Sequence, residues 1–501
     1  MISEDAVLLS LGLPLGAAVL ISMLGRWPNF RETVTLLAAA CLFVTVCTLV
    51  PAVMADGRPE VNLLDMFPGL PVGFKVEPLG MLFALVASGL WIVTSIYSIG
   101  YMREHHEQNQ TRFFVCFAIA IAAVMGVAFS RNVLTLFIFY EALTFSTYPL
   151  VTHHSTDKAK RAGRIYLGVL LSTSVLFLLL ATIWTWHLTE PHSLEFTKGG
   201  LLSNMGSDTI RQQPWVVGIL LALFAFGTGK AALMPFHCWL PAAMVAPTPV
   251  SALLHAVAVV KVGVFTIMKV VIYVFGIDLL TDTGMSLWLM YVAGATIMIA
   301  SLVALTKDNL KERLAYSTIS QLAYIVLGVA LANASGVIGG GMHILMHAFG
   351  KITLFFCAGA IMISAHKTRV SELNGLGRTM PFTMAAFAVG ALSVIGLPPL
   401  GGSWSKWYLA LGTAEAGQLP LLATLMVSSL LSIAYLMPIS IRAFFLEPSA
   451  SDVHGDNYHV HTGIREAPIS CVVPPCITAL GCVVLFFFAE RAYQLLIPIV
   501  S

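Results

Sequence analysis

The sequence predicts an all-α polytopic membrane protein of about fourteen transmembrane helices, on three observations. Hydrophobic residues make up 58% of the 501-residue chain and charged residues only 10%, where a soluble domain carries roughly a quarter charged. Apolar runs of about 20 residues, each able to cross a hydrocarbon layer roughly 30 Å thick, recur almost from end to end. Clusters of polar residues, Pro and Gly separate them. Together these features exclude an ordinary soluble enzyme. No polar stretch is long enough for a separate nucleotide-binding module, and a formal charge of +2 gives no footing for nucleic acid.

In chain order, residues 1–110 hold three spans, beginning near Val7, Thr33 and Pro78. Acidic Glu4 and Asp5 open the first, without a basic leader or small-residue cleavage site, so it reads as a retained helix rather than a signal peptide. Residues 111–280 hold five more, from near Phe113, Val133, Ile165, Trp215 and Pro249, and residues 281–446 another five, from near Leu287, Leu314, Gly339, Pro381 and Leu421. A polar loop and a last span from near Ser470 fill residues 447–501. The 27 Lys and Arg sort across these spans very unevenly, sixteen to one side and six to the other. By the positive-inside rule both termini then face outward from a bacterial inner membrane.

Five basic residues remain inside or at the edge of apolar spans: Lys230, Lys261, Lys269, Lys351 and Lys406. Each Lys at a helix centre costs about 2.5–3.5 kcal/mol on the insertion scale, and intramembrane ionisable groups mark ion or proton pathways. Glu141, in LTLFIFYEALTFSTYPLV, is the embedded acid. A carboxylate and a row of amines are the parts of a proton relay, with a structural ion pair between helices as the alternative for each. For Lys269 the structural reading leads: a side chain that snorkels to the outer interface. His343, His347 and Lys351 recur every four residues on one helical face. The HxxxH spacing lacks a third ligand, so a proton-passing column is favoured over a metal site. His255 adds an imidazole with an ordinary pKa near neutrality, equally readable as a packed core histidine.

Two spans are interrupted near an embedded lysine. The seventh breaks at MPFHCWLPAAMVAPTP, with Pro235, Pro241 and Pro247, and the twelfth at GLPPLGGSWSK, with Pro398 and Pro399. Irregular backbone at membrane depth survives only where protein or a water-filled cavity surrounds it. Broken helices in corresponding positions, five spans apart, are the mark of inverted-repeat transporters, which makes residues 111–280 and 281–446 two inverted five-helix repeats. The eight cysteines are scattered without a CxxC pair, so neither an iron–sulfur cluster nor a zinc site is expected, nor any other cofactor. His454, His459 and His461 read as members of a solvated loop.

The segments FGTGKAALMPFHCWLPAAMVAPTPVSALLHAVAVVKVGVF, TKDNLKERLAYSTISQLAYIVLG, HILMHAFGKITLFFCAGAI and GLPPLGGSWSKWYL, with YSIGYM ending the third span, resemble the signature regions of antiporter-like proton-translocating subunits. That family includes the M, N and L subunits of respiratory complex I and the A and D subunits of Mrp-type Na+/H+ antiporters. The resemblance implies a fourteen-helix fold with inverted repeats and a central hydrophilic axis. It implies that Glu141 is the key glutamate, Lys230 its partner on the broken seventh helix, and Lys261 with His255 the bridging group. It makes His343, His347 and Lys351 the eleventh-helix relay and Lys406 the terminal base. One departure stands out: many relatives carry an acid after the Pro of WLP, where this chain has Ala242 and Ala243.

The function expected is proton translocation within a multi-subunit Mrp-type cation/proton antiporter, with Na+ or another monovalent cation as the exchanged ion and Lys230 paired with Glu141. The alternative is the same pump in an NADH:quinone oxidoreductase, membrane-bound hydrogenase or bicarbonate-uptake complex, and a further one is a transport-inactive scaffold. Partners would be other hydrophobic subunits and membrane lipids. No catalytic chemistry is expected in the chain itself.

Overall fold

The computed structural model describes residues 3–67, 70–206, 210, 213–447 and 463–500. Eleven helices among them are long and apolar enough to cross a membrane. In order these are α1 (Ser3–Met23), α2 (Pro28–Met54), α3 (Pro78–Glu104), α4 (Gln110–Ala128), α5 (Val133–Val151), α6 (Asp157–Leu188), α8 (Thr248–Phe275), α9 (Leu287–Thr306), α11 (Ala334–Ala365), α14 (Leu419–Phe445) and α15 (Ile469–Phe487). Between them lie the shorter apolar α7 (Pro214–Gly227) and α12 (Pro381–Ile395). The remaining main helices are α10 (Leu310–Ala330), charged in its first turn, α13 (Gly402–Glu415) and α16 (Ala489–Val500). A helix begins within about five residues of every span start read from the sequence except the sixth, where α6 starts at Asp157, eight residues before Ile165. His454, His459 and His461 lie outside the described residues.

Side-chain caps start several helices where polar residues punctuate the sequence. Asn132 Oδ1 accepts from Thr135 N at 2.8 Å to begin α5, and Asn333 Oδ1 from Gly336 N at 2.8 Å to begin α11. Each satisfies one of the amides that a helix N-terminus leaves free. Burial sorts the bundle into layers. The most apolar window of α8 is 100% buried and that of α11 78%, against 33% for α2, α6, α14 and α15. The two helices that carry Lys and His within their apolar interior, α8 and α11, are therefore central, and the outer helices present apolar faces of the kind lipid solvates.

Both expected interruptions are present. After α7 the chain runs through a single 3₁₀ turn (Gly229–Ala231), turns, and a short helix (Trp239–Ala242) before α8 starts. After α12 it passes Gly396 at φ +91° and reaches α13 at Gly402. Between α2 and α3 the chain forms an antiparallel hairpin, β1 (Glu60–Phe67) with β2 (Leu70–Lys75). It is tied to α5 by Gly73 N donating to Thr135 Oγ1 at 3.2 Å and by Asn132 Nδ2 donating to Pro71 O at 2.6 Å. It marks one end of the bundle, called the hairpin end below.

Candidate functional site

The broken stretch after α7 places Lys230 on α5. Its Nζ donates to Tyr140 O at 2.8 Å and to Thr144 Oγ1 at 2.6 Å, 3.1 Å from the Tyr140 ring centroid, and the residue is 0% exposed. Its backbone amide donates to Tyr140 Oη at 3.1 Å. The expected ion pair is not formed: both carboxylate oxygens of Glu141 are buried with no hydrogen-bond partner. The reason is helical geometry. Tyr140 and Thr144 share one face of α5, while the next residue is turned about 100° away, so the ammonium settles on the oxygens of that face. Gly263 makes the approach of α8 possible, since a Cβ there would lie 2.2 Å from Ala231 N and 2.3 Å from Lys230 C.

From α8 the polar contacts continue across α11 to α13. Lys261 Nζ hydrogen-bonds His347 Nδ1 at 2.8 Å. The His347 and His343 rings stack with centroids 5.6 Å apart, and His343 Nδ1 hydrogen-bonds Ser405 Oγ at 2.9 Å. Lys406, the next residue, donates from Nζ to Ile395 O at 2.8 Å and to Ser429 Oγ at 3.1 Å. Ile395 is the last residue of α12. The helix break thus frees a carbonyl that a continuous helix would have consumed, and the embedded lysine takes it. Lys351 donates to Ser317 Oγ at 2.7 Å and Leu314 O at 3.2 Å on α10. His255 lies in a widened π-type turn (Leu253–Val257), a feature frequent at functional positions. Its ring is 4.6 Å from that of Phe355, and neither ring nitrogen has a partner.

The structure therefore brings Lys261, His347, His343 and Ser405 into one line of contacts, with Lys406 adjacent to Ser405 in the chain but bonded elsewhere, and seats Lys351 one helix turn from His347. Glu141 and His255 have no hydrogen-bond partner. Of the prolines, Pro235 and Pro241 lie within the break after Lys230, Pro247 directly precedes α8, and Pro398 and Pro399 fill the gap between α12 and α13.

Three features escaped the sequence reading. Lys269 does not snorkel: it is 0% exposed, its Nζ lies 3.2 Å from Glu77 Oε2, and it donates to Ser130 O at 2.6 Å. Glu77, directly before Pro78, was not singled out from the sequence; its one signal is a carboxylate abutting twenty-five apolar-rich positions of α3. Gln321 on α10 is buried with neither amide atom partnered, one turn beyond Ser317. A lone amide in an apolar run was its signal. At the end opposite the hairpin, Glu107 gathers His105 at 3.3 Å and His153 and His154 at 3.5 Å each. Burial pushes the Glu107 carboxyl up, but the His153 contact and the three imidazoles outweigh it and hold it below the usual carboxylate range. Burial in turn pushes His154 down. Among the described residues no group of three or more His, Cys, Asp or Glu is arranged to hold a metal ion.

Residues 130–432 match the family model described as NADH:quinone oxidoreductase/Mrp antiporter, transmembrane region, and residues 68–114 that of the N-terminus of complex I chain 5. The chain is 31% identical over 494 residues to NADH-quinone oxidoreductase subunit N of Desulforudis audaxviator, covering 96% of this chain and 95% of that one. It is 32% identical to hydrogenase-4 component B of Escherichia coli over 67% of its own length, and spans 50% of that longer protein. A chain of the Mrp complex from a Dietzia species has the same fold, with a TM-score of 0.86 at 22% identity over 99% of this chain and 96% of that one.

Proposed function

Because this chain belongs to the NADH:quinone oxidoreductase/Mrp antiporter family of proton-translocating membrane subunits, we propose that it conducts protons along the Lys261–His347–His343–Ser405–Lys406 line within a multi-subunit Mrp-type antiporter that exchanges Na+. The observation that carries this reading is the Lys261–His347 hydrogen bond of 2.8 Å, which bridges the two central helices. A proton arriving at His347 Nδ1 from Lys261 can leave from Nε2, unpartnered in this state, once the stacked rings turn to bring it to His343 Nε2, and His343 then passes a proton from Nδ1 to Ser405 Oγ. The two ring nitrogens are what let an imidazole receive on one side and release on the other.

Lys230 is the input valve in this scheme. In the observed state its ammonium rests on Tyr140 O and Thr144 Oγ1 while Glu141 is unpaired. Turning from that carbonyl to the carboxylate would change the local charge separation, and an ion pair made or broken in low dielectric is worth several kcal/mol. The same reading keeps the division at residues 1–110, 111–280, 281–446 and 447–501, with the two middle segments as inverted repeats, in a bacterial inner membrane with both termini outward. Other hydrophobic subunits would flank it.

A second reading has one observation in its favour: the relative matched over nearly its whole length is a subunit of an NADH-quinone oxidoreductase. There the same line would be driven by redox subunits rather than by a Na+ gradient. Mass spectrometry of what co-purifies from native membranes separates the two: small hydrophobic subunits alone for the antiporter, flavin- or iron–sulfur-bearing subunits in stoichiometric amount for the redox machine. For the relay itself, Lys230→Met and Glu141→Gln should each lower proton flux into membrane vesicles by about a hundredfold, the scale of a lost proton-transfer group, with the complex still assembled. Wild-type flux in either variant would refute it.

A further inference from the structure

Away from the relay, α2, α3, α11, α15 and α16 enclose an apolar groove of about 580 Å³. Its walls run from Phe43 to Met54 on α2 and from Leu82 to Val93 on α3. Twelve residues of helix, eleven steps of 1.5 Å, make it about 16 Å long, close to half of a hydrocarbon layer roughly 30 Å thick. It starts at the hairpin end, where α2 finishes and α3 begins, and stops near mid-membrane. Arg491 is the single charged residue of the lining. It follows the end of α15, whose start packs at the opposite end of α3, with Ser470 against Gly100, so the arginine sits at the groove's hairpin-end mouth.

The polar demands of this lining are few. Thr478 Oγ1 is already bonded to Thr353 Oγ1 at 2.7 Å. The guanidinium of Arg491 has no hydrogen bond or ion pair among the described residues, and its neighbour Glu490 accepts instead from Gln494 Nε2 at 3.1 Å. An apolar trough one leaflet deep with a free guanidinium at the headgroup level matches one class of molecule. We propose that the groove binds a phospholipid of the hairpin-end leaflet, its acyl chain along α3 and its phosphate on Arg491. Arginine's planar fork suits phosphate oxygens in pairs.

Depth and charge argue against a helix of a neighbouring subunit as the occupant: a membrane-crossing helix would run the full hydrocarbon thickness of roughly 30 Å rather than stop at mid-membrane, and it would not account for the lone arginine at the mouth. Leu345 and Phe349 form the α11 wall of the groove, and they flank His347 in sequence. An acyl chain would thus brace the back of the helix whose other face carries the histidines. The binding itself does not depend on the transport reading.

The test is lipid retention by the intact complex, extracted from native membranes in mild detergent and weighed by native mass spectrometry. Wild type should carry a tightly held phospholipid that Leu85→Trp, which fills the groove, and Arg491→Gln, which removes the phosphate contact, both lose. Arg491 is exposed at the surface, so its variant keeps the test open should Leu85→Trp fail to assemble. Equal phospholipid content in wild type and Arg491→Gln would overturn the proposal. A benzophenone side chain placed at Leu85 should attach to lipid; attachment to another subunit's polypeptide would overturn it too.

Discussion

Neutralising Glu77 tests whether the Lys269 end of α8 is a sealed ion pair. The two charged groups are 3.2 Å apart, with side chains 0% and 5% exposed. At an effective dielectric of 20 their attraction is about 5 kcal/mol, and removing one partner of a buried pair typically costs about 3–5 kcal/mol. Lys269 would keep Ser130 O at 2.6 Å and the face of the Phe196 ring at 4.5 Å, which argues for the lower end. Glu77→Gln should therefore destabilise the protein by about 3 kcal/mol, a shift of roughly a hundredfold in the unfolding equilibrium. The assay is reversible SDS or urea titration in mixed micelles of wild type, Glu77→Gln, Lys269→Met and the double variant. The double should recover to within about 1 kcal/mol of wild type, because it leaves no uncompensated buried charge. A loss under about 1 kcal/mol for Glu77→Gln, as solvent-exposed pairs give, would mean that Lys269 reaches water and that the sealed-pair argument is wrong.

Gly263→Ala should disable proton flux in vesicles far more than its single methyl suggests, because its Cβ would collide with the backbone of Lys230 and Ala231 at 2.2–2.3 Å and push the broken turn off α8; wild-type flux in this variant would contradict that packing. At the opposite end, the Glu107 carboxyl sits below its usual range among His105, His153 and His154, so its ionised form is favoured by folding. The stability that Glu107 adds over Glu107→Gln should persist above the ordinary carboxylate pKa near about 4.3 and fade only as pH falls through the lower folded value. Thermal stability of the two proteins across that acid range checks it, and a difference already gone at pH about 5–6 would refute the assignment.

The embedded charges were legible because burying a charge in hydrocarbon is costly at the position where it happens. Lys230, Lys261, Lys351, Lys406 and Glu141 each announced themselves against an apolar background, whatever their partners. The two breaks were equally legible, since Pro235, Pro241 and Pro247, like Pro398 and Pro399, withdraw amide donors that a helix needs. The snorkelling expected of Lys269 was wrong, and Glu77 was passed over, for the converse reason. One lies near the end of a span and the other directly before one, where sequence cannot tell a residue that meets water from one that is covered.

By itself, then, the sequence determined which stretches are helical, where helices break and which charges must be offset, because those follow from hydropathy summed over a few turns. Who offsets them was decided only by tertiary structure. Lys261 finds His347 86 residues away, and Lys230 finds Tyr140 O, 90 residues away, rather than the Glu141 beside it. Each choice depends on how far a helix is rotated about its axis against its neighbour. That rotation is set by close approaches such as Gly263 against the Lys230 turn, and no local window of the sequence contains both sides of such a contact.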